Sequence, residues 1–429
     1  MGRVILKKRA SPAQVLSQEV VATCPGGAES VLAAEMRAVG FQDVSIETGA
    51  VRAGRTKTAG IASANRALRT AARVLVPVAR FAVSDFDGVY RNVSEIPWER
   101  LLPTDRTFAI TATTRSEALK DHRFLAMRTK DAIVDRQRTH TNGVRSSVDR
   151  DNPDLPVVIF ANNREVEVSV DSSGAPLHER GYRTERGDAP LRETVAAMMV
   201  LSAGWPHEAV LVDPFCGSGT IAIEAALIAE GRLPGDLGRR YAYQRWTWMG
   251  DLDRGGEAAP AAESASTEVP ARSSAGAGDS LAADAGHGAG DGTAPAGGRR
   301  IIAADVDPDM IDIARRNARR AGVEERIEFF CSDAQETVHH VAREPGVIVT
   351  NPPYGRRLQP EDTARLYRGF GESLRRELPG WQVWMLLGDP APVKTLGLTP
   401  EKKLSVFNGG LSAQLCHYRL RRSGGKERS

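Results

Sequence analysis

The stretch that decides the fold class is "VLVDPFCGSGTIAIEAA", residues 210–226. A short apolar run ends at Asp213, glycines stand at positions 217 and 219, and the apolar residues that follow have helical spacing. A strand, a glycine loop and a helix in this order are typical of open α/β folds, which bind nucleotide-like ligands at the carboxyl ends of their strands. The glycines permit a sharp turn and a close approach to a ligand. A tight turn without a ligand is the alternative.

The glycine spacing alone does not identify the ligand. A dinucleotide-binding fingerprint places a third glycine three positions after Gly219, and Ala222 stands there, which is a tolerated variant. No Lys-Ser or Lys-Thr pair follows the loop, so the stretch does not match a phosphate-binding P-loop.

The C-terminal half predicts a doubly wound α/β sheet. Short apolar runs, as expected of buried parallel strands, occur at 209–212, 300–304, 326–330, 346–350 and 383–387. Apolar residues at helical spacing lie between or after them, at 221–230, 308–322 and 361–378. Strands that alternate with helices in this way are joined by crossover helices.

The N-terminal half has a different pattern, which predicts α+β units. Residues 19–41 give a strand, a glycine-containing turn and a helix. Strands near 107–113 and 157–170 flank a helical pattern at 120–138. The polar, glycine-containing segment at 172–188 predicts a domain boundary.

Residues 253–298 are rich in Ala, Gly and Ser and contain no Phe, Tyr or Trp with which to build a core. We predict a disordered insertion inside the α/β domain, because strand and helix signals continue on both sides. The segment has a net charge of −5, so the rest of a chain with net charge +3 carries +8. A basic folded part favours a polyanionic partner such as nucleic acid.

The composition argues against membrane and metal proteins. No apolar run approaches the roughly 20 residues of a membrane span, and the start lacks the apolar core of a secretory signal. A mitochondrial transit peptide is left open, since Lys7, Lys8 and Arg9 precede the first acid, Glu19. The cysteines are far apart, form no metal-type pair and suit a reducing cytosol, which predicts a cytoplasmic protein; they are Cys24, Cys216, Cys331 and Cys416.

Acidic residues follow two further predicted strands. Asp305 in "AADVDP" is placed to accept hydrogen bonds from ribose hydroxyls, and Asp333 in "FFCSDAQ" from an exocyclic adenine amine. A lone Asp after a strand is more often a helix cap, but three at strand ends favour a ligand. The predicted cofactor-binding residues are Asp213, Pro214, Phe215, Cys216, Gly217, Ser218, Gly219, Thr220, Asp305, Val306, Asp333, Ala334 and Asn351.

The stretch "VIVTNPPYGRRL", residues 347–358, ends the fourth strand with two prolines, through which neither helix nor strand pairing continues. The amine of a nucleobase is a poor nucleophile because its lone pair is delocalised. If the Asn351 side-chain carbonyl and the Pro352 backbone carbonyl each accept one N–H, the amine is held and polarised toward an electrophile. Tyr354 offers a face for a flipped base. The predicted catalytic residues are Asn351, Pro352, Pro353 and Tyr354.

A ligand with adenine, ribose and a small reactive group is best matched by S-adenosyl-L-methionine, whose sulfonium methyl group transfers in line. This chemistry needs neither a metal nor a covalent nucleophile. The sequence agrees, because it has no His or Cys cluster with metal-ligand spacing.

The motifs "DPFCGSGT", "AADVDP", "SDA" and "NPPYG" resemble those of class I S-adenosylmethionine-dependent amino-methyltransferases. "HERGYR" (178–183) and "APLRETVAAMMVLSAGW" (189–205) are similar to a narrower group with an N-terminal THUMP domain, the RNA guanine-N2 methyltransferases of the RlmL type. "VVATCPGGAESVLAAEMRAVGF" resembles their opening segment. The resemblance covers nearly the whole chain except 253–298 and the two ends.

The resemblance implies a domain order. We expect a ferredoxin-like segment at 1–60, a THUMP-like RNA-binding domain at 61–171, a linker at 172–189 and a Rossmann-like class I methyltransferase domain at 190–429. A basic cluster in the THUMP-like region favours RNA, although a solvated helix face is the alternative for each residue. The predicted RNA-binding residues are Arg115, Lys120, Arg123, Arg128, Lys130 and Arg138.

The resemblance implies methylation of the exocyclic N2 amine of a guanine in RNA, with 23S rRNA as the expected substrate and tRNA as the alternative. N6-adenine methylation of DNA presents the same amine problem, but such an enzyme would be expected to have a target-recognition domain in place of a THUMP-like one. A non-catalytic RNA-binding factor would be expected to have lost the glycine loop or the amine clamp, which is the predicted catalytic stretch at residues 351–354. The sequence does not determine the oligomeric state, and a monomer is compatible with it.

Overall fold

The computed structural model describes residues 19–55, 60–184, 191–206, 209–246, 300–341, 346–353, 360–388, 394–408 and 411–421. The chain divides into two compact units. Unit 1 comprises Met1–Thr23, Ala33–Leu177 and Arg239–Glu263, and unit 2 comprises Cys24–Leu32, His178–Gly238 and Ser264–Ser429. The predicted disordered insertion, 253–298, lies outside the described residues.

Unit 1 is built on one eight-stranded sheet with the strand order β2-β3-β1-β4-β8-β7-β5-β6. Its strands are β1 (Glu19–Thr23), β2 (Gln42–Glu47), β3 (Ala50–Gly54), β4 (Arg73–Ala82), β5 (Thr107–Arg115), β6 (Ser147–Val148), β7 (Leu155–Asn162) and β8 (Glu165–Asp171). The helices of this part of the chain are α1 (Glu29–Ala38), α2 (Ile61–Ala67), α3 (Phe86–Ser94), α4 (Trp98–Leu101) and α5 (His122–His140). Residues Glu29–Leu32, which begin α1, belong to unit 2.

The N-terminal pattern agrees with the α+β prediction, with one refinement. The region near 157–170 is not one strand but an antiparallel hairpin of β7 and β8. Asn163 has a left-handed backbone (φ 53°), which lets the chain reverse between the two strands. Helix α5 begins where the Asp121 carboxylate accepts hydrogen bonds from the backbone N–H groups of Arg123 and Phe124, at 2.9 and 3.0 Å.

Unit 2 contains a seven-stranded sheet with the order β11-β10-β9-β12-β13-β15-β14. Its strands are β9 (Val210–Asp213), β10 (Ile301–Asp305), β11 (Ile327–Cys331), β12 (Gly346–Thr350), β13 (Gln382–Gly388), β14 (Lys402–Asn408) and β15 (Leu411–Arg419). Its further helices are α6 (Glu193–Ala203), α7 (Thr220–Ala229), α8 (Pro308–Ala321), α9 (Ala334–Val341) and α10 (Pro360–Glu377). Strands β9 to β13 are parallel, whereas β15 pairs antiparallel with both β13 and β14.

Apolar layers cover both faces of this sheet. One layer packs α6, α7 and α8 against side chains such as Leu211 and Val347, and the other packs α9 and α10 against Val212 and Ile348. The prediction of a doubly wound α/β sheet is therefore confirmed. Strand β9 lies between β10 and β12, and the strand order reverses between β9 and β12. Open α/β sheets bind ligands in the crevice at such a switch point.

In the described part of the chain, no helix is both long enough and apolar enough to cross a membrane. No group of three or more His, Cys, Asp or Glu side chains in the same part is arranged to hold a metal ion. The four cysteines form no disulfide bond with one another in the described part of the chain.

Candidate active site

The glycine loop joins β9 to α7 at the switch point. Gly217 and Gly219 both have left-handed backbones, with φ values of 52° and 83°. A Cβ at position 219 would lie 3.0 Å from the Ala314 Cβ of α8, so this glycine allows two elements to pack closely. A Cβ at position 217 would meet no heavy atom within 4 Å. The space beside position 217 is thus open, and glycine is favoured there because of the left-handed backbone conformation.

Asp305 connects the end of β10 to the glycine loop. One carboxylate oxygen accepts a hydrogen bond from the Gly217 backbone N–H at 2.9 Å, and the other accepts from the Asp307 N–H at 3.0 Å. Each oxygen of a carboxylate has two lone pairs, so both retain capacity for a ligand hydroxyl. The predicted ribose contact of Asp305 is compatible with this geometry and stays a prediction.

Asp333 caps helix α9. Its Oδ1 accepts from the backbone N–H groups of Gln335 and Glu336, at 2.8 and 3.0 Å. This is the helix-cap alternative that the sequence left open, and a ligand contact through the same side chain stays a prediction. Near Asp305 and Asp333, Val306 is 71% exposed and Phe330 is 44% exposed. Phe330 was not among the predicted site residues, and only its exposure distinguishes it from the other apolar residues of β11.

Asp213 is a buried carboxyl group at the end of β9. Its Oδ1 accepts from the Thr350 hydroxyl at 2.7 Å and from the Phe215 backbone N–H at 3.3 Å. Its Oδ2 is buried and has no hydrogen-bond partner in the described ranges. Burial raises the pKa of Asp213 to about 7, against the lowering effect of the Thr350 hydrogen bond, and the charge of Asp305 adds to the increase. Burial likewise raises the pKa of the neighbouring Cys216 thiol.

Asn351 directly follows β12, and β12 is the strand next to β9. Its side-chain oxygen is buried and accepts no hydrogen bond from any described residue. Pro352 is buried beside it and lines a narrow apolar recess that has no room for a water molecule. The recess is further lined by Phe215, Leu366, Tyr367, Phe370 and Met385. The predicted stacking residue, Tyr354, lies outside the described residues.

A buried polar network lies behind the glycine loop, within unit 2. In "HERGYR", Tyr182 donates a hydrogen bond to Glu224 at 3.0 Å, and Arg180 lies 3.5 Å from the same Glu224 oxygen. Arg183 pairs with Glu193 at 2.9 Å. All five side chains are at most 7% exposed. Within the segment predicted as a linker, residues 180, 182 and 183 are therefore packed in unit 2.

The network contacts the glycine loop through Arg183. Its guanidinium donates to the Leu191 carbonyl at 2.6 Å and to the Thr220 hydroxyl at 3.4 Å. Burial raises the pKa of Glu193 to about 7, although the charge of Arg183 lowers it. The sequence analysis missed Glu224. The available signal was an acid in an otherwise apolar helix, "TIAIEAALIA", which requires a buried partner.

The six predicted RNA-binding residues lie in unit 1, and the structure separates them into two groups. Three are paired with acids: Arg128 with Asp87, Lys130 with Asp131 and Arg138 with Asp135, at 2.7, 3.0 and 3.5 Å. The other three are Arg115, Lys120 and Arg123; they are exposed and form no ion pair within the described part of unit 1. Phe124 and Met127, on the same helix as Arg123, are 38% and 44% exposed.

Together, the doubly wound sheet, the glycine loop at its switch point and the unpaired acceptor after β12 define a methyltransferase of the class I type. Family comparison agrees. Residues 180–417 match the model of the RMKL-like methyltransferase domain, residues 83–171 match the THUMP domain, and residues 19–75 match the RlmL ferredoxin-like domain. The chain belongs to the RMKL-like methyltransferase family.

Several curated relatives align with most of this chain. The ribosomal RNA large subunit methyltransferase K/L of Syntrophotalea carbinolica is 36% identical over 413 residues, which are 92% of this chain and 53% of the relative. The protein of the same name from Psychromonas ingrahamii is 35% identical over 353 residues, 82% of this chain and 44% of the relative. The chain thus spans about half the length of the curated relatives it matches.

Solved structures are similar over nearly their full length. A possible methylase from Clostridium difficile 630 has a TM-score of 0.78 and 29% identity, over 95% of this chain and all of the other. SMU.472, a putative methyltransferase complexed with SAH, has a TM-score of 0.75 and 28% identity, over 95% of this chain and 99% of the other. A predicted N6-adenine-specific DNA methylase from Listeria monocytogenes has a TM-score of 0.74 and 29% identity, over 94% and 96%.

Proposed function

We propose that this protein transfers a methyl group from S-adenosyl-L-methionine to the exocyclic N2 amine of a guanine in ribosomal RNA of the large subunit. The observation that carries the proposal is the buried, unpaired Asn351 oxygen at the carboxyl end of β12. A buried acceptor without a donor costs about 1 to 3 kcal/mol, a cost that a ligand N–H removes. A base amine supplies such an N–H.

The glycine loop supports the choice of methyl donor. Gly217 leaves open space beside Asp305, and the exposed Val306 side chain offers an apolar contact for an adenine ring. The donor supplies an electrophilic methyl group. The chain supplies orientation: Asn351 and Pro352 hold the amine, and no metal or covalent intermediate is required. The SAH complex of SMU.472, a relative at 28% identity, supports the same donor for this chain.

Two features support RNA as the substrate. The curated relatives are named ribosomal RNA large subunit methyltransferases, and residues 83–171 match the THUMP domain. Within that range, Arg115, Lys120 and Arg123 are exposed cations without a described acidic partner, as contacts to phosphates require. Phe124, next to Arg123, is 38% exposed although its ring also packs edge-on against Phe86, and an exposed aromatic ring can stack with an unpaired base. We propose these four residues as RNA contacts.

A second candidate is N6-adenine methylation of DNA, which the name of the Listeria monocytogenes structure favours. The Asn-Pro-Pro clamp serves an adenine amine as well as a guanine amine, because both are flat amines conjugated with a ring. The substrate test must therefore include both nucleic acids.

The test is a transfer assay with labelled methyl donor and purified protein. Substrates are ribosomal RNA and tRNA from a strain that lacks the gene, and unmethylated DNA, with digestion to nucleosides and mass spectrometry of the product. We expect N2-methylguanosine in large-subunit ribosomal RNA. N6-methyladenine in DNA would support the second candidate, and the absence of transfer to every substrate would overturn the proposal.

A further inference from the structure

Helix α10 forms the back of the amine clamp. Tyr367 on this helix is 2% exposed, and its hydroxyl donates a hydrogen bond to the Pro353 carbonyl at 3.3 Å. Tyr367 and Pro352 both line the apolar recess. Tyr367 is therefore hydrogen-bonded to one of the two prolines that follow Asn351 and lines the same recess as the other.

The contact matters because of the covalent geometry of two consecutive prolines. The peptide unit that carries the Pro352 carbonyl ends at the Pro353 nitrogen, whose φ is fixed near −65° by the ring. The main remaining freedom of Pro353 is its ψ angle, which sets the direction of its own carbonyl. A hydrogen bond to that carbonyl restricts ψ. Because Pro352 is itself buried and lines the recess, the direction of its carbonyl is then restricted from both sides.

Helix α10 is itself held against two other parts of unit 2. A Cβ at Gly371 would overlap the Leu396 carbonyl, so the helix lies directly against this backbone, and Arg375 donates to the same carbonyl at 3.0 Å. On the active-site side, the Phe370 ring meets Phe215 of the glycine loop edge-on, with centroids 5.2 Å apart. Helix α10 therefore contacts both the glycine loop and the prolines of the amine clamp.

We propose that Tyr367 is a positioning residue for methyl transfer. Its hydroxyl fixes the Pro353 carbonyl, and through it the Pro352 carbonyl that accepts the second N–H of the target amine. This inference rests on the proposed function. Tyr367 does not contact the reacting atoms, and its effect acts through the acceptor that does.

The test uses Tyr367→Phe, which keeps the ring and its packing and removes the hydroxyl. The matched control is Tyr418→Phe, which changes a buried residue of the same apolar layer whose hydroxyl has no hydrogen-bond partner among the described residues. Single-turnover transfer with enzyme in excess gives a rate constant and an amplitude. The rate constant reports alignment in the folded enzyme, whereas the amplitude reports the folded fraction. Calorimetry gives the donor affinity, and filter binding gives the RNA affinity.

We expect Tyr367→Phe to lower the single-turnover rate constant about tenfold, which corresponds to about 1.4 kcal/mol. The amplitude, the donor affinity and the RNA affinity should match the unmodified protein, and Tyr418→Phe should leave the rate constant unchanged. An unchanged rate constant in Tyr367→Phe, or a loss confined to the amplitude, would overturn the inference. Absence of transfer by the unmodified protein would instead overturn the proposed function on which it rests.

Discussion

Asp213 and Asn351 follow or end neighbouring parallel strands, and each has a buried side-chain oxygen without a hydrogen-bond partner in the described ranges. The two oxygens differ in chemistry. The Asn351 amide cannot change its charge, so it acts as a fixed acceptor. The Asp213 carboxyl can gain or lose a proton near neutral pH, so its acceptor strength depends on the solution. Each residue therefore gives a separate prediction.

We expect Asn351→Ala to lose turnover while keeping donor and RNA affinity. The substitution removes one preorganised acceptor, which typically costs roughly 10² to 10³ in rate. Asn351→Asp keeps acceptor oxygens and should retain more activity than the alanine variant. Single-turnover assays with product analysis by mass spectrometry check the prediction. Transfer by Asn351→Ala at near the parental rate would show that this side chain is not a clamp.

The pKa of Asp213 predicts a pH-dependent donor affinity. Its folded-state pKa of about 7 lies above the ordinary value of 3.8, so the empty protein binds a proton below pH 7 that the unfolded chain has already released above about pH 4. The ionised carboxylate is the form that pairs with a cationic donor. Donor affinity should therefore fall by about tenfold per pH unit below pH 7, with proton release on binding.

The same burial gives a stability change with a defined sign. Because the folded state binds more protons than the unfolded state between about pH 4 and pH 7, this group lowers the free energy of unfolding as pH rises through that window.

The pH dependence of donor affinity is measured by calorimetry. Calorimetry in buffers of different ionisation enthalpy counts the protons released by donor binding. Asp213→Asn should bind the donor with a flat pH profile, and an unchanged profile would assign the titration to another group.

At the scale of elements, the sequence predicted the catalytic sheet more closely than its edge. Strands β9 to β13 were located to within one residue, because buried parallel strands are continuous apolar runs bounded by glycine or acidic residues. Strands β14 and β15 were not predicted. Their sequences, "KKLSVFN" and "LSAQLCHYR", mix polar and apolar residues. Strand β14 lies at the edge of the sheet with largely exposed side chains, whereas β15 is mostly buried but includes Ser, Gln and His, which interrupt its apolar run.

The candidate site shows the same division. Asp213, Asp305 and Asn351 could be predicted because each follows or ends a strand in a short motif. Tyr367 could not, since its hydrogen bond to the Pro353 carbonyl comes from the packing of a separate helix. Glu224 could be recognised as an acid in an apolar helix, but its partner Tyr182 could not. Local sequence gives the end of a strand, whereas only the packed structure shows which distant side chain meets it.

A glycine far from the catalytic motifs gives the prediction for this scale. Gly27 belongs to unit 2 and has a φ of 92°, and a Cβ there would overlap the Ser405 carbonyl of β14. Gly231, in the same unit, has a φ of 63° and nothing within 4 Å of a Cβ. Both alanine variants incur the left-handed backbone cost of about 1 to 2 kcal/mol, and Gly27→Ala adds a backbone clash.

We therefore expect Gly27→Ala to lower the unfolding midpoint by several degrees more than Gly231→Ala, since 1 kcal/mol shifts it by roughly 2 to 4 °C in a domain of this size. Differential scanning calorimetry compares the two variants. Equal shifts would mean that the loop moves away from β14 without cost.

At the scale of the whole molecule, the charges are unevenly distributed. The net charge of +3 includes a segment at 253–298 that carries −5, so the rest of the chain is more basic than the total suggests. Within unit 1, acids neutralise half of the six predicted RNA-binding cations. A cation that is paired with an acid either stays paired when RNA binds or must first break the ion pair. It therefore releases fewer counterions on binding than an unpaired cation does. The unpaired group should therefore dominate the salt dependence.

We expect the triple substitution of Arg115, Lys120 and Arg123 to glutamine to weaken RNA binding and flatten its salt dependence. Each phosphate contact to single-stranded RNA contributes about 0.7 to the slope of log affinity against log salt, so three contacts contribute about 2. The matched control replaces the paired cations Arg128, Lys130 and Arg138 by glutamine, with the same change in net charge and a smaller change in slope. Donor affinity should stay constant in both, because the predicted donor residues belong to unit 2. Fluorescence anisotropy at salt concentrations from 50 to 300 mM measures the slopes. This range includes about 100 mM, where the Debye length is about 10 Å. Equal slopes for the two triple variants would show that overall charge, and not the unpaired cations, governs RNA binding.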